Sequence, residues 1–429
     1  MTSNPDLRDY VRSIPLVDVH EHHIPEVYLN RDVGLLALLR QSYAGWTRAR
    51  PYPLPSETRA EDPMLADTGR GSWEEVAAFV EDSGSSAFVR NVVRALTELY
   101  DLGEDGITKD NWSRLDEEIR RRHSSPGWAR EVLERARVVR VITDPYTDPL
   151  LDARSALGEE YRSVMRINAL AVGWHPDSAD HNGNRAARFA ERLGVKLRSF
   201  DDFETLLRRV VASLGERHQV ALKNALAYDR SVLFDEPDEK AARRAWGRRD
   251  PSPEERKAFG DLVMDRLAAL AAEHDVPVQM HLGTALIRGS SPMNVAGLLE
   301  RHPRTRFLLM HLAYPWSSEL LAPAFVYRNV WIDLTWSFVL SPTHFKRAFH
   351  EAIEILPDES RMMLGGDNWH AEETYGSIAV ARRLIGAALE EKVADGYFGI
   401  ADARRLARRV FSENATAFFR LDGNQGPWG

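Results

Sequence analysis

Short runs rich in β-branched and apolar residues recur along the chain, and between them apolar positions repeat at three- and four-residue steps. The first pattern predicts strands and the second amphipathic helices, so their alternation predicts parallel βα units. The first strand is the run Ile14-Pro15-Leu16-Val17-Asp18-Val19, which ends in His20-Glu21-His22. Seven more are expected at Val138 to Thr143, Val164 to Val172, Val220 to Ala227, Val276 to Leu282, Arg306 to Leu312, Val330 to Thr335 and Met362 to Asp367. The clearest helix precedes the fifth strand. There Phe259, Leu262, Val263, Leu267 and Leu270 recur on one face, behind a Ser252-Pro253-Glu254-Glu255 start that resembles a cap with proline at the first helical position. Right-handed crossovers close eight such units into a (β/α)8 TIM barrel, the α/β fold expected here. An open doubly wound sheet is the alternative, and no Gly-x-Gly-x-x-Gly turn supports a dinucleotide version of it.

One interval breaks the rhythm. About 110 residues separate strands one and two where a single helix would suffice, so residues 24–137 are expected to be an insertion. Arg48 to Pro63 reads as loop, and Trp73 to Leu102 and Trp112 to Arg122 read as helices. Leaving the barrel directly after the His pair, this segment is placed to act as a lid. A helical extension follows the last strand, and residues 1–429 are expected to form one elaborated barrel domain.

Composition excludes several chemistries. With net charge −8 and a pI near 6.0 the chain has no global attraction to nucleic acid or anionic membrane. The basic runs Arg120-Arg121-Arg122 and Arg404-Arg405…Arg408-Arg409 lie in helix-like stretches and read as solvated faces. No apolar run approaches the ~18 residues that span a bilayer, and the polar first residues lack a signal-peptide core, so a cytoplasmic protein is expected. There are no cysteines, which rules out disulfides, thiolate zinc sites, iron–sulfur clusters and thiol nucleophiles. Any metal must be held by histidine, carboxylate or a modified lysine.

Strand alternation points His20 and His22 the same way, as two imidazoles must to grip one ion. Later strands end in further candidates: His281 in Val278-Gln279-Met280-His281-Leu282-Gly283, His311 in Leu308-Leu309-Met310-His311-Leu312, and Asp367 in Leu364-Gly365-Gly366-Asp367. Singly, each reads better as a core histidine or a turn aspartate. Together, at one end of successive strands, they point to a metal site. Within the fourth strand Lys223 shares a face with Ala221 and Ala225. A desolvated amine there captures CO2 as an anionic, two-pronged carbamate able to bridge two divalent ions; alternatively it stays protonated and binds a substrate carboxylate. Asp18 lies one layer deeper on the histidine face, where it either orients a ligand or fills the barrel, while His23 faces away. Trp174, His175, Tyr228, Arg230, Arg288, Trp336, Trp369 and His370 follow strand ends. They are expected to contact a small polar, carboxylated substrate, with packing as the alternative role.

This set, with His-x-His after strand one, Lys after four, His after five and six and Asp after eight, resembles the metal-dependent amidohydrolase superfamily. The long insertion, the Thr143-Asp144-Pro145 turn, Glu373-x-Tyr375 after Asp367 and the late Asn414-Ala415-x-x-Phe418-Phe419 resemble its amidohydrolase 2 and uronate isomerase branch. The resemblance implies a barrel with one or two divalent ions, zinc foremost with manganese or iron as alternatives, and a homo-oligomeric assembly. Uronate isomerases carry an arginine two residues after the last-strand aspartate, where this chain has Trp369. The branch's mononuclear decarboxylases share every ligand except Lys223.

The activity expected is hydrolysis of a C–N or related bond by metal-activated water, since a divalent ion lowers the pKa of water from 15.7 to about 7. His20, His22 and Asp367 are assigned to one ion, His281 and His311 to a second, and carbamylated Lys223 to both. Asp367 is the expected base; with a single ion, His311 becomes an acid, base or polarising group. Decarboxylation, aldose–ketose isomerisation and a non-catalytic metal-binding scaffold are the other readings.

Overall fold

The structure is a computed structural model, described over residues 5–23, 33–47 and 69–421. Its eight strands are β1 (Leu16–Glu21), β2 (Val138–Thr143), β3 (Tyr161–Arg166), β4 (Gln219–Asn224), β5 (Val278–Met280), β6 (Phe307–Leu309), β7 (Val330–Asp333) and β8 (Met362–Met363). They are hydrogen-bonded in chain order from β1 to β8, and the pairs from β3 to β8 are parallel. With helices in the crossovers, this is the topology of a (β/α)8 barrel.

Each strand falls where the periodicity places one, but several ends shift. The third was expected over Val164 to Val172; it starts earlier, at Tyr161, and Asn168–Ala171 is a helical turn. Asn168 causes the break: its side-chain oxygen accepts the Ala225 N–H at 2.8 Å and its amide donates to Asp229 at 2.7 Å, which ends the ladder after Ile167. β5 and β6 are short, yet pairing runs past them, with the His281 N–H on the Asn224 carbonyl at 2.8 Å and the Met310 N–H on that of Met280 at 3.0 Å.

The chain divides into two compact units, one made of Met1–Val141, Thr335–His350 and Leu364–Ser412, the other of Ile142–Leu334, Glu351–Met363 and Glu413–Gly429. In the first unit every residue of β1 is buried, as in a strand covered on both faces. Leu16 donates to Arg137 on one side; on the other, Val19 donates to Leu364 and Asp367 to the carbonyl of His20. The segment that follows β8 therefore runs alongside β1. The described part of the insertion is helical and has its own apolar cluster. Leu35, Leu36, Leu38 and Leu39 meet Val89, Val92 and Leu96 of the helix Ala87–Leu99 and Leu115 and Ile119 of the helix Trp112–His123. Where one helix was expected over Trp73 to Leu102 there are two helical segments, parted at Ser83-Gly84-Ser85-Ser86, a run that favours turns. The loop expected from Arg48 to Pro63 lies outside the described residues.

In the second unit the helix Pro253–Glu273 buries Phe259, Leu262, Val263, Leu267 and Leu270, as their spacing predicts. Ser252 accepts the Glu255 N–H at 3.2 Å while the Glu255 carboxylate accepts that of Ser252 at 3.1 Å, a reciprocal cap worth about 1 kcal/mol. Among the described residues no helix is long and apolar enough to cross a membrane.

Candidate metal centre

In the first unit, alternation along β1 presents His20 and His22 together, their rings edge to face with centroids 4.9 Å apart. Asp367 arrives from the segment alongside, its Oδ1 lying 3.4 Å from His20 Nε2 and 3.2 Å from His22 Nε2. One ligand atom from each of these buried residues lies within 4.8 Å of the others.

The sequence around Asp367 is what this approach requires. A Cβ on Gly365 would stand 2.6 Å from Asp18 Oδ1 and from the His20 nitrogen, and one on Gly366 would stand 2.2 Å from Glu21 Oε1. Glycine alone fits at both. Asp367 itself adopts φ +68°, a strained left-handed backbone that turns its carboxylate. Asp18 Oδ1 accepts the N–H groups of His20 and Gly366, each at 3.1 Å, so it fixes backbone on both sides of the site. On the opposite face Glu21 accepts the Asn368 N–H and the Thr374 hydroxyl, the latter at 2.8 Å. Burial, and then the neighbouring Asp18, hold the Glu21 carboxyl well above the usual carboxylate range. His23 faces Thr374, with Nε2 2.9 Å from Oγ1, and burial pushes it down to about 3.

Two residues that the chemistry of strand ends did not single out complete this group. Tyr43, in the insertion, donates its phenol hydrogen to Asp367 Oδ2 at 2.7 Å. Glu373 accepts the Tyr43 N–H on Oε1 at 2.9 Å and the Trp369 N–H on Oε2 at 3.3 Å, and burial pushes it up to about 8. Trp369 stacks on His22 at 5.5 Å, and Trp336 lies 5.4 Å from Tyr43.

The second unit holds the other candidates. His311 Nε2 and His281 Nδ1 are 2.9 Å apart, and Lys223, 1% exposed, places its Nζ 2.8 Å from Met310 Sδ. Burial and then the Lys223 charge hold His281 well below the ordinary histidine value. The Tyr228 ring lies between those of His281 and His181, at 4.5 and 5.0 Å. Beside them Arg166 makes a bidentate, buried pair with Asp144, and Asp229 accepts both the N–H and, at 2.9 Å, the ring Nδ1–H of His181. No spacing signal marked Arg166, His181 or Asp229; their place at or beyond the ends of β3 and β4 could have. Arg230 pairs with Asp261 of the helix Pro253–Glu273. Trp174 stacks under Arg256, His175 accepts the Asp177 N–H, and Arg288 is exposed. His370, in the first unit, is 1% exposed and is pushed down to about 3 by burial.

Two imidazoles and a carboxylate are a donor set for zinc and its neighbours. Ligands about 2.0–2.1 Å from one tetrahedral ion stand about 3.3 Å from each other. The separations of 3.2 and 3.4 Å around Asp367 Oδ1 match that value, so the residues fit a divalent ion.

A family profile described as amidohydrolase matches residues 184–421, more than half of the chain. The chain belongs to the amidohydrolase family. The matched span includes Lys223, His281, His311 and Asp367, whereas β1 with its His pair precedes it. Over 165 residues the chain is 28% identical to protein fluG of Emericella nidulans, a match covering 36% of this chain and 18% of that much longer protein. Among solved structures it is similar to uronate isomerase from Thermotoga maritima, with a TM-score of 0.76, 17% identity and 96% of each chain covered. Glucuronate isomerase from Caulobacter crescentus gives 0.74 and 16%, covering 99% of this chain and 97% of that one. A Lactobacillus casei protein named as a metal-dependent hydrolase gives 0.67 and 14%, covering 97% and 98%. These likenesses show the TIM-barrel fold read from the residues. Proteins named as isomerases and as a hydrolase share that fold, so it does not select the reaction.

Proposed function

We propose that this amidohydrolase-family protein is a metal-dependent hydrolase that cleaves a C–N or related bond of a small substrate with water. The supporting observation is the division of the Asp367 carboxylate: Oδ1 faces the His pair, while Oδ2 is held by the Tyr43 phenol. His20, His22 and Asp367 would hold the ion, which supplies Lewis acidity and brings the ionisation of water into the neutral range. Asp367 takes the proton of the attacking water and returns it to the leaving group. Tyr43 fixes the plane of that carboxylate, so one oxygen stays aimed at the His pair throughout. In the second unit Lys223, as a carbamate, is proposed with His281 and His311 as the ligand group for a further ion. Burial favours this, because it keeps His281 in the neutral form that ligates.

Isomerisation is the second reading, favoured by likeness to two isomerase folds. Against it, Trp369 stands where uronate isomerases place a guanidinium. Zinc-loaded protein incubated in 18O-water with a panel of N-acyl amides and with D-glucuronate separates the two. Hydrolysis predicts 18O in the released acid; conversion of glucuronate to a ketose with no amide cleaved overturns it.

A further inference from the structure

Five aromatic rings of the first unit form one continuous face that begins on the metal-ligand candidates themselves. Trp369 stacks on His22, with planes 23° apart, and Tyr43 lies 4.9 Å from Trp369. Around Tyr43 stand Trp46 at 5.1 Å and Phe88 at 5.3 Å, with Trp336 joined to Phe88 at 5.9 Å. Burial is uneven across the face. Trp336 is 4% exposed and anchors it, Trp369 and Phe88 are half-buried, and Trp46 is 43% exposed. Large rings left open beside buried catalytic groups leave apolar surface in water, and a flat apolar ligand covers it.

The face is held as well as packed. The Glu373 carboxyl group bridges the backbones of Tyr43 and Trp369, one oxygen to each, and the Tyr43 hydroxyl is fixed to Asp367. The Tyr43 ring and the backbone that carries Trp369, so fastened, lose little freedom when a ligand stacks on this face.

We propose that the substrate carries an aryl group next to the bond that is cleaved, and that Trp46, Phe88 and Trp369 receive it. This rests on the hydrolase reading and specifies its substrate class. A polyhydroxylated sugar acid sets hydroxyls against this face and loses hydrogen bonds to water; an aryl ring gains contact.

Binding tests this without turnover. Benzohydroxamate and acetohydroxamate share one metal-anchoring group and differ in the ring, and their dissociation constants on zinc-loaded protein are read by calorimetry. The expected result is benzohydroxamate bound about tenfold more tightly, with Trp46→Ala reducing that ratio to about threefold or less and leaving acetohydroxamate within about twofold. Trp46→Phe keeps most of the preference. A ratio near one in the native protein overturns the proposal, as does a ratio undiminished in both Trp46→Ala and Phe88→Ala. Trp46 is open enough that its removal does not threaten folding. Failure of the 18O experiment alone sinks the hydrolase reading; failure of the hydroxamate ratio alone sinks the aryl assignment.

Discussion

The Tyr43 phenol donates to Asp367 Oδ2 at 2.7 Å across 324 residues of sequence, while Oδ1 of that carboxylate faces His20 and His22. A residue of the insertion thus completes a group built on β1 and on the segment after β8. The insertion, expected from the sequence to act as a lid, supplies a hydrogen bond to a metal-ligand candidate.

Tyr43→Phe removes that bond and keeps the ring. A hydrogen bond to a charged group is worth about 1.5–3 kcal/mol, so kcat is expected to fall roughly 10- to 100-fold. Metal content and melting temperature should stay near native values. Loss of metal together with activity in Tyr43→Phe would show that the phenol serves ion retention instead.

Lys223 is buried, with its amine against a thioether, a weak acceptor. The proposed carbamate at Lys223 predicts that Lys223→Ala drops bound metal from about two ions per chain to about one. Elemental analysis of protein prepared without chelators reads this directly. Unchanged stoichiometry in the variant contradicts the second ligand group.

Glu373 gives a pH signature. Its carboxyl is raised to about 8 in the fold by burial, against an ordinary value near 4.5. The folded chain therefore binds a proton that the unfolded chain has released between those values. Its stabilising contribution is full below about pH 4.5 and is lost as pH rises through about 8. Urea unfolding at pH 5, 6.5 and 8 should show this decline, and Glu373→Gln, which removes the titrating group, should flatten it. An identical slope in the variant assigns the decline elsewhere.

Arg166 and Asp144 form a pair with both side chains buried. Arg166→Ala leaves an uncompensated carboxylate and is expected to cost about 3–5 kcal/mol in urea unfolding. Asp144→Asn in the same background should recover part of that loss. If it does not, the arginine contributes through packing rather than charge.

The strands were legible because burial on both faces leaves apolar runs with polar residues concentrated at their ends. His20, His22 and Asp367 were legible for the same reason: a histidine or aspartate closing such a run stands out. Tyr43 was not, and Glu373 stood out only as part of the Glu373-x-Tyr375 motif, since each lies in a helical segment of mixed pattern and gains its role from contacts hundreds of residues away. β3 misled because Ile167 to Val172 continue an apolar pattern, while a side-chain network on Asn168 turns the backbone into a helix. Arg230 follows a strand and suggested substrate contact; its partner Asp261 lies on a helix whose interior polar residue carries no strand-end signal.

His20, His22 and Asp367 are proposed to share one divalent ion. Anomalous diffraction at a metal absorption edge, from crystals grown without chelators, decides this. A peak about 2.0–2.2 Å from both imidazole Nε2 atoms and Asp367 Oδ1 is the predicted result. A metal-loaded crystal with no anomalous density at those three atoms would contradict it.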